Sequence, residues 1–153
     1  MQEKPKDYVT AAGSDWLLPL YDPFLRWVAR EDTFKRRLIE EARIGPRNQV
    51  LDLGCGTGTL TLMIKHLHPD ASVYGLDGDP KALQIAQRKA ERAGAEIVLE
   101  QGFSYDLPHA DGSFDRVLSS LVFHHLTREH KRETLREVRR ILKPGGALLI
   151  VDF

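Results

Sequence analysis

A glycine-rich turn after a short apolar segment constrains this chain more than any other feature. The segment Gln49–Leu53 is mostly apolar, which predicts a buried β-strand. Gly54, Gly56 and Gly58 follow it at alternate positions. Glycine accepts positive φ and has no side chain, so the backbone there can bend tightly and approach a ligand closely. The helix predicted next adds unpaired N–H groups and the positive end of its dipole. The combination predicts an anion site for a phosphate or a carboxylate.

The rest of the chain alternates strand and helix signals. Asp79 followed by Pro80 predicts the start of one helix and Gly94 its end, while Thr127 predicts the cap of a longer one. Such alternation predicts a doubly wound, mainly parallel α/β sheet of the Rossmann type. The predicted strands are Gln49–Leu53, Val73–Leu76, Ile97–Leu99, Phe114–Leu121 and Ala147–Val151, with a turn over Lys143–Gly146 before the last.

The first section of the chain is predicted to be helical. Residues 15–43 carry an apolar stripe interrupted by two prolines, and Asp32 can cap a second helix, so we expect two helices there. We therefore divide the 153 residues into an N-terminal helical segment, 1–45, and a core, 46–153, within a single domain.

Composition narrows the class of protein. Lys and Arg total 22, as do Asp and Glu, so global charge gives no reason to bind nucleic acid or an anionic membrane. Residues 127–143 carry seven basic and three acidic side chains, which indicates either a solvated helix face or a docking surface for an acidic partner. One cysteine, a polar start and no apolar run of about 20 residues predict a cytoplasmic protein without a membrane span.

A carboxylate follows the second predicted strand. Asp77 stands where such folds place an acid that accepts hydrogen bonds from ribose hydroxyls. An acid there is also often the cap of the next helix. Because Asp79 already occupies the cap position, we expect the Asp77 carboxylate to be free.

Five motifs follow one another along the sequence. They are Val50–Gly58, Val73–Asp77, Leu107–Pro108 with Asp111–Asp115, His124–Leu126 and Leu142–Gly146. In this order the motifs resemble those of the class I S-adenosylmethionine-dependent methyltransferases, in the small-molecule subgroup that includes the C-methyltransferases of ubiquinone and menaquinone biosynthesis. The resemblance covers residues 49–153, and the spacing G-x-G-x-G differs from the G-x-G-x-x-G of nicotinamide dinucleotide folds.

The resemblance implies S-adenosylmethionine as cofactor, S-adenosylhomocysteine as product, and strand order 3-2-1-4-5. It places the glycine turn at the methionine end, Asp52 near the amino group, and Asp77 on the ribose. Ser104 and Asp106 would lie near the adenine, and Ser120 below the sulfonium. The cofactor-binding residues expected are Asp52, Gly54, Cys55, Gly56, Gly58, Asp77, Gly78, Ser104, Asp106, Ser120 and Tyr21.

Some of these assignments have two interpretations. Tyr21 either shields the methionine moiety, as part of a lid, or packs a helix on the sheet. Cys55 is expected to pack in the turn rather than act as a nucleophile. Many relatives carry an acid at the position of Phe103, so Asp106 or a backbone carbonyl would have to accept from the adenine amino group here.

The methyl transfer that the resemblance implies needs few protein groups. His124, after the fourth strand, is the candidate general base, with a structural histidine as the alternative. His125 should point elsewhere, His109 should be exposed in its loop, and no residue spacing indicates a metal site. The expected acceptor is a small molecule, either quinone-like or another metabolite. A non-catalytic cofactor-binding module and an interaction fragment remain alternatives.

The sequence stops soon after the fifth predicted strand. Relatives continue with a helix and an antiparallel hairpin, so we expect strands six and seven to be absent and the domain to be C-terminally truncated. The exposed edge of the fifth strand then predicts a possible homodimer.

Overall fold

A computed structural model describes residues 18–152, with side chains from residue 29 onward. Four helices and five strands make up this part of the chain, and they alternate except where the fourth strand directly follows the third. A short 3₁₀ turn, Phe123–His125, follows the fourth strand. The helices are α1 Leu18–Ala42, α2 Thr59–Leu67, α3 Pro80–Ala93 and α4 Arg128–Ile141, and the strands are β1 Gln49–Leu53, β2 Ser72–Asp77, β3 Val98–Gln101, β4 Phe114–Ser120 and β5 Leu142–Val151.

The strands form one parallel sheet in the order β3-β2-β1-β4-β5, which confirms the predicted Rossmann-like fold. The central strand β1 pairs with β2 on one side and β4 on the other. Since all strands run the same way, their carboxyl ends share one edge of the sheet. The order of connection reverses beside β1, and the crevice at such a point is where these folds bind ligands.

Apolar side chains cover both faces of β1 because successive side chains point to opposite sides of a strand. Val50 packs with α2 and the end of α1 in one buried cluster, which includes Leu60 and Ile64. Leu51 and Leu53 pack on the other face with Val138 and Ile141 of α4. The sheet is therefore wound on both sides, which holds its carboxyl edge in a fixed shape.

Two compact units divide the chain, Met1–Thr33 and Phe34–Phe153. The prediction of two helices in residues 15–43 is wrong, because α1 is continuous from Leu18 to Ala42. Asp32 is an exposed residue within the helix, where it costs little, instead of a cap. In the second unit the Arg116 guanidinium caps the end of α1 by donating to the Ala42 carbonyl at 2.5 Å.

The three caps predicted for α3 and α4 are present. The Asp79 carboxylate accepts from the Lys81 amide, and Gly94 ends α3 with a φ of 60°. The Thr127 hydroxyl accepts from the His130 amide at the start of α4. These caps form as expected because they depend on neighbours within three residues.

Strand β5 begins earlier than predicted, at Leu142 in place of Ala147. Leu142 pairs with Phe114 and Ala147 with Arg116, so the residues between them form a bulge against β4. Strand β3 also differs, because it starts one residue later than predicted and extends to Gln101. Pairing with a neighbouring strand, which periodicity does not show, decides both boundaries.

Asp115 connects three strands near their amino ends. Its Oδ2 accepts from the Gln49 amide at 2.8 Å and from Lys143 Nζ at 3.1 Å. Burial opposes ionisation of this carboxyl, but the Gln49 amide and the Lys143 ammonium hold its pKa below the usual range. One side chain thus links β1, β4 and β5 at the edge away from the glycine turn.

The loop between β3 and β4 is held against α4. Arg140 donates to the carbonyls of Leu107 and His109 and to the carboxylates of Asp111 and Glu137. Glu137 in turn accepts from the Leu107 amide at 2.8 Å. The loop therefore has a defined conformation although it has no regular secondary structure.

His109 in this loop is not exposed, contrary to expectation. Its side chain is only 9% exposed, and Nε2 lies 2.5 Å from Glu100 Oε2. The imidazole makes edge-to-face contacts with Tyr74 and Phe114. These contacts come from β2 and β4, so position in a polar loop did not predict the burial.

Candidate functional site

A cavity of about 350 Å³ opens at the carboxyl edge of the sheet. Its wall is built by the glycine turn after β1, the end of β2, the β3–β4 loop and the segment after β4. A nucleoside-sized ligand fits a cavity of this size. Six of the predicted cofactor residues line it: Gly54, Gly56, Asp77, Gly78, Ser104 and Ser120.

The glycine turn requires glycine at two positions in particular. Gly54 and Gly58 have φ of 74° and 76°, in the left-handed region. A Cβ on Gly54 would lie 2.4 Å from Val122 Cγ2, and one on Gly58 would lie 2.8 Å from Ala86 Cβ. The turn is therefore pressed between the segment after β4 and helix α3. Gly58, which precedes α2, does not itself line the cavity.

Lys89, also of α3, holds the same turn. Its ammonium donates to the Thr57 carbonyl at 3.0 Å and to the Thr59 hydroxyl at 3.1 Å. These contacts place a positive charge where α2 begins, 30 residues away in sequence. Sequence reasoning missed Lys89 because only the packing of α3 brings it to the turn.

The Asp77 carboxylate lines the cavity but is not free, contrary to expectation. Its Oδ2 accepts from the Gly56 amide and its Oδ1 from the Asp79 amide, both at 2.8 Å. Each carboxylate oxygen has two acceptor sites, so capacity remains for further donors such as ribose hydroxyls. Asp77 therefore positions the glycine turn as well as facing the cavity.

Asp52 is buried in β1, two residues before the turn, and does not line the cavity. Its Oδ2 accepts from the Thr61 hydroxyl at 2.7 Å, while Oδ1 has no hydrogen-bond partner in the described part of the chain. Burial raises the pKa of this carboxyl to about 6, against the opposing effects of the Thr61 hydrogen bond and the Lys35 charge. A buried carboxylate oxygen without a donor suits an ammonium ligand, directly or through water.

Cys55 packs instead of reacting. The residue is buried, and this burial raises the pKa of its thiol well above the usual range. A Cβ on Gly75 would lie 3.0 Å from its sulfur, so the side chain fills the space above β2. Cys55 does not line the cavity.

The β3–β4 loop forms the far wall of the cavity. The Ser104 side chain is buried against Thr134, with 2.8 Å between the hydroxyl oxygens. Asp106 does not line the cavity, and its amide bonds to the Phe103 carbonyl. Of the two residues predicted near adenine, only Ser104 therefore reaches the cavity wall.

Phe103 lines the cavity and is 54% exposed. Its ring lies over Gly78, where an added Cβ would be 3.1 Å from Cε1. Tyr105 stacks on Phe103 with 5.3 Å between centroids, and His130 stacks on Tyr105 at 4.0 Å. The absence of a side chain at Gly78 thus lets an aromatic ring form part of the wall.

The segment after β4 closes the cavity with strained backbone. Leu121 has a φ of 58°, which costs a residue with a Cβ about 1 kcal/mol. Its amide donates to the Val151 carbonyl at 2.8 Å, which ties the cavity wall to the end of β5. Ser120, Leu121 and Val122 all line the cavity here.

Of the two neighbouring histidines, only His125, expected to point elsewhere, lines the cavity. His124 lies beside it, with 3.9 Å between ring centroids, and its Nδ1 is 2.5 Å from Asp152 Oδ1. The side chain of Tyr21 lies outside the described residues. Among the side chains that the structure describes, residues 29–152, no group of three or more His, Cys, Asp or Glu could hold a metal ion.

Comparison with known proteins identifies the class. Residues 50–146 match the methyltransferase domain family. The sheet order, the glycine turn and Asp77 agree with that match, so the chain belongs to the class I S-adenosylmethionine-dependent methyltransferases.

Three individual proteins are similar to this chain over most of its length. A demethylmenaquinone methyltransferase of Thermus thermophilus is 38% identical over 84% of this chain and 54% of its own length. An uncharacterized methyltransferase of Synechocystis is 37% identical over 82% and 56%. The solved structure of YcgJ from Bacillus subtilis has a TM-score of 0.71 and 31% identity over 77% of this chain and 49% of its own. The chain spans about half the length of the curated relatives it matches. None of its described helices is long and apolar enough to cross a membrane.

Proposed function

We propose that this chain binds S-adenosylmethionine and transfers its methyl group to a small, quinone-like acceptor. The observation that carries the proposal is the convergence of the glycine turn and Asp77 on one nucleoside-sized cavity. The name of the Thermus thermophilus relative supports a quinone as the acceptor class. The neutral net charge gives no support to a nucleic-acid substrate.

Each part of the cavity has a proposed role. The backbone at Gly54 and Gly56, whose amides already donate to Leu76 and Asp77, lines the methionine end of the cofactor. Asp52, buried outside the cavity lining, attracts the ammonium group. Asp77 accepts from the ribose hydroxyls. Phe103, lying over Gly78, offers an apolar face to the adenine, in place of the acid that many relatives carry. Ser104 contributes through its backbone because its hydroxyl is paired with Thr134.

The reaction requires alignment more than new charge. S-adenosylmethionine supplies a methyl group on a sulfonium whose leaving thioether is neutral. The residues after β4 therefore need mainly to exclude water and to align the acceptor with the methyl group. His124 is the proposed base where the acceptor loses a proton, and Tyr21 with residues 1–45 is the proposed lid.

Calorimetry with S-adenosylhomocysteine tests the site through Asp77→Ala. We expect micromolar binding by the parent and roughly 100-fold weaker binding by the variant, because hydrogen bonds to a charged group are lost and the turn loses its anchor. Asp79→Ala is the matched control, since it removes a neighbouring acid and a helix cap but no proposed ligand contact. Equal affinity of Asp77→Ala and parent contradicts the assignment. Transfer of labelled methyl to a quinol panel separates an enzyme from a binding module.

Two further proposals concern the protein in the cell. We propose a cytoplasmic location, which the single cysteine and balanced charge support and which cell fractionation tests. We also propose that two copies pair through β5, which lies at the sheet edge with Ile150 40% exposed. Light scattering should show a dimer at high concentration, and a monomer at every concentration contradicts the pairing.

A further inference from the structure

We infer that Asp152 positions His124 to take a proton from the methyl acceptor, which must therefore carry an ionisable O–H. The inference rests on the proposed function. It starts from one contact, the 2.5 Å between His124 Nδ1 and Asp152 Oδ1. The two side chains are 39% and 20% exposed, and the pair lies next to His125, which lines the cavity.

The contact selects one form of the imidazole. An ionised carboxylate can only accept a hydrogen bond, so the neutral ring carries its proton on Nδ1. Nε2 then keeps a lone pair and can accept a proton from another molecule. The ring of His125, tilted by 47° against that of His124, adds a second contact that limits rotation. Orientation and proton position are both fixed before an acceptor arrives.

The pair adjoins the cavity on the side of β4 and β5. The cofactor cavity extends over the ends of β2, β1 and β4 and the β3–β4 loop, and β5 is the next strand beyond β4. The bond from the Leu121 amide to the Val151 carbonyl joins the cavity wall to the residue before Asp152. The backbone that carries Asp152 is thus tied to the cavity wall three residues before His124.

The proton balance defines the acceptor class. The acceptor O–H gives its proton to His124 Nε2, and the resulting phenolate forms a bond from its ring carbon to the methyl group. The C–S bond breaks, and its electron pair stays on sulfur as the neutral thioether. The methylated ring then loses the hydrogen of that carbon and regains one on oxygen, so one proton in total is released. Asp152 touches no reacting atom in this sequence and is a positioning residue.

Nitrogen NMR of histidine-labelled protein tests the pair without any acceptor. At a pH where the ring is neutral, we expect His124 of the parent to be the Nδ1–H tautomer. Asp152→Ala should convert it to the Nε2–H form that free histidine prefers, while Glu129→Gln, at an exposed acid on α4, should leave it unchanged. An Nε2–H parent, or a tautomer that does not respond to Asp152→Ala, overturns the inference.

Kinetics and binding separate this inference from the proposed function. With a 2-alkyl-1,4-naphthohydroquinone as probe, we expect Asp152→Ala to lower kcat at least tenfold with KM little changed, and His124→Ala to lower it about 10²–10⁴-fold. Binding of S-adenosylhomocysteine should stay within twofold of the parent in both variants. An unchanged kcat in Asp152→Ala, or equal methylation of the dimethyl ether of the probe, overturns the inference. If the parent itself does not bind S-adenosylhomocysteine, that result contradicts the proposed function instead.

Discussion

Replacing Asp52 with asparagine is expected to stabilise the ligand-free protein and to weaken its binding of S-adenosylhomocysteine. Burial raises the pKa of Asp52 to about 6 from an ordinary value of 3.8, so ionisation at pH 8 costs the folded state up to about 3 kcal/mol. Asparagine removes that charge and keeps an acceptor for the Thr61 hydroxyl. Because the N–H groups of the asparagine amide need hydrogen-bond partners of their own, we expect the free energy of unfolding to rise by only about 1–2 kcal/mol.

The two effects have opposite pH dependence. A carboxyl with a raised pKa contributes stability that is complete below its unfolded pKa, near pH 4, and is lost as the pH rises through about 6. Attraction for the ligand ammonium needs the ionised form, so affinity should fall as the pH drops below about 6. Urea unfolding at pH 5 and pH 8 measures the stability, and calorimetry at the same two pH values measures the ligand affinity. The difference between parent and variant isolates Asp52 from Asp115 and Glu137, whose pKa values are lowered.

A matched control is available for Asp52. Asp70→Asn changes an exposed aspartate and should alter neither the pH dependence of stability nor ligand affinity. Stability curves with equal pH slopes for Asp52→Asn and the parent contradict the assigned pKa. Unchanged affinity at pH 8 contradicts the role of Asp52 in attracting the ammonium group.

Gly54→Ala is expected to destabilise the protein by about 3 kcal/mol or more and to weaken ligand binding over 100-fold. Two costs add, since the φ of 74° disfavours any Cβ and this Cβ would lie 2.4 Å from Val122 Cγ2. Relief of the clash must move either the turn or the segment after β4, and both line the cavity. Thermal unfolding and calorimetry measure the two losses.

Gly112→Ala separates backbone strain from the clash. Gly112 has a φ of 60° with no atom within 4 Å of an added Cβ, so its substitution should cost about 1 kcal/mol and leave binding unchanged. Adding Val122→Ala to Gly54→Ala should restore part of the lost stability. If Gly54→Ala lowers the stability no more than Gly112→Ala does, the inference that the turn packs closely against Val122 is wrong.

The sequence predicted the elements whose chemistry is local. The glycine turn, the caps at Asp79 and Thr127, and the strand order followed from residues near one another or from ordered motifs. The position of Asp77 at the end of β2 followed from the same motifs. Its hydrogen bond to the Gly56 amide did not, because the turn and the strand end meet only in the folded sheet.

The groups that the sequence missed are held by distant partners. Lys89 reaches the turn from α3, Arg140 holds the β3–β4 loop from α4, and Asp152, directly after β5, contacts His124. The positions of His124 and His125 were exchanged relative to the cavity for a related reason. A short 3₁₀ turn, Phe123–His125, sets which of two adjacent rings faces inward, and spacing alone cannot show that.

The carboxylate of Asp115 has a consequence for how such a chain can change. It fastens three strands at the edge of the sheet farthest from the chemistry, so strand alignment does not depend on the residues that surround the ligands. Substitutions in the segments that follow β4 and β5 can therefore change the shape of the cavity wall while the strands keep their register. A change in the ligand that the cavity accepts then needs no change of fold.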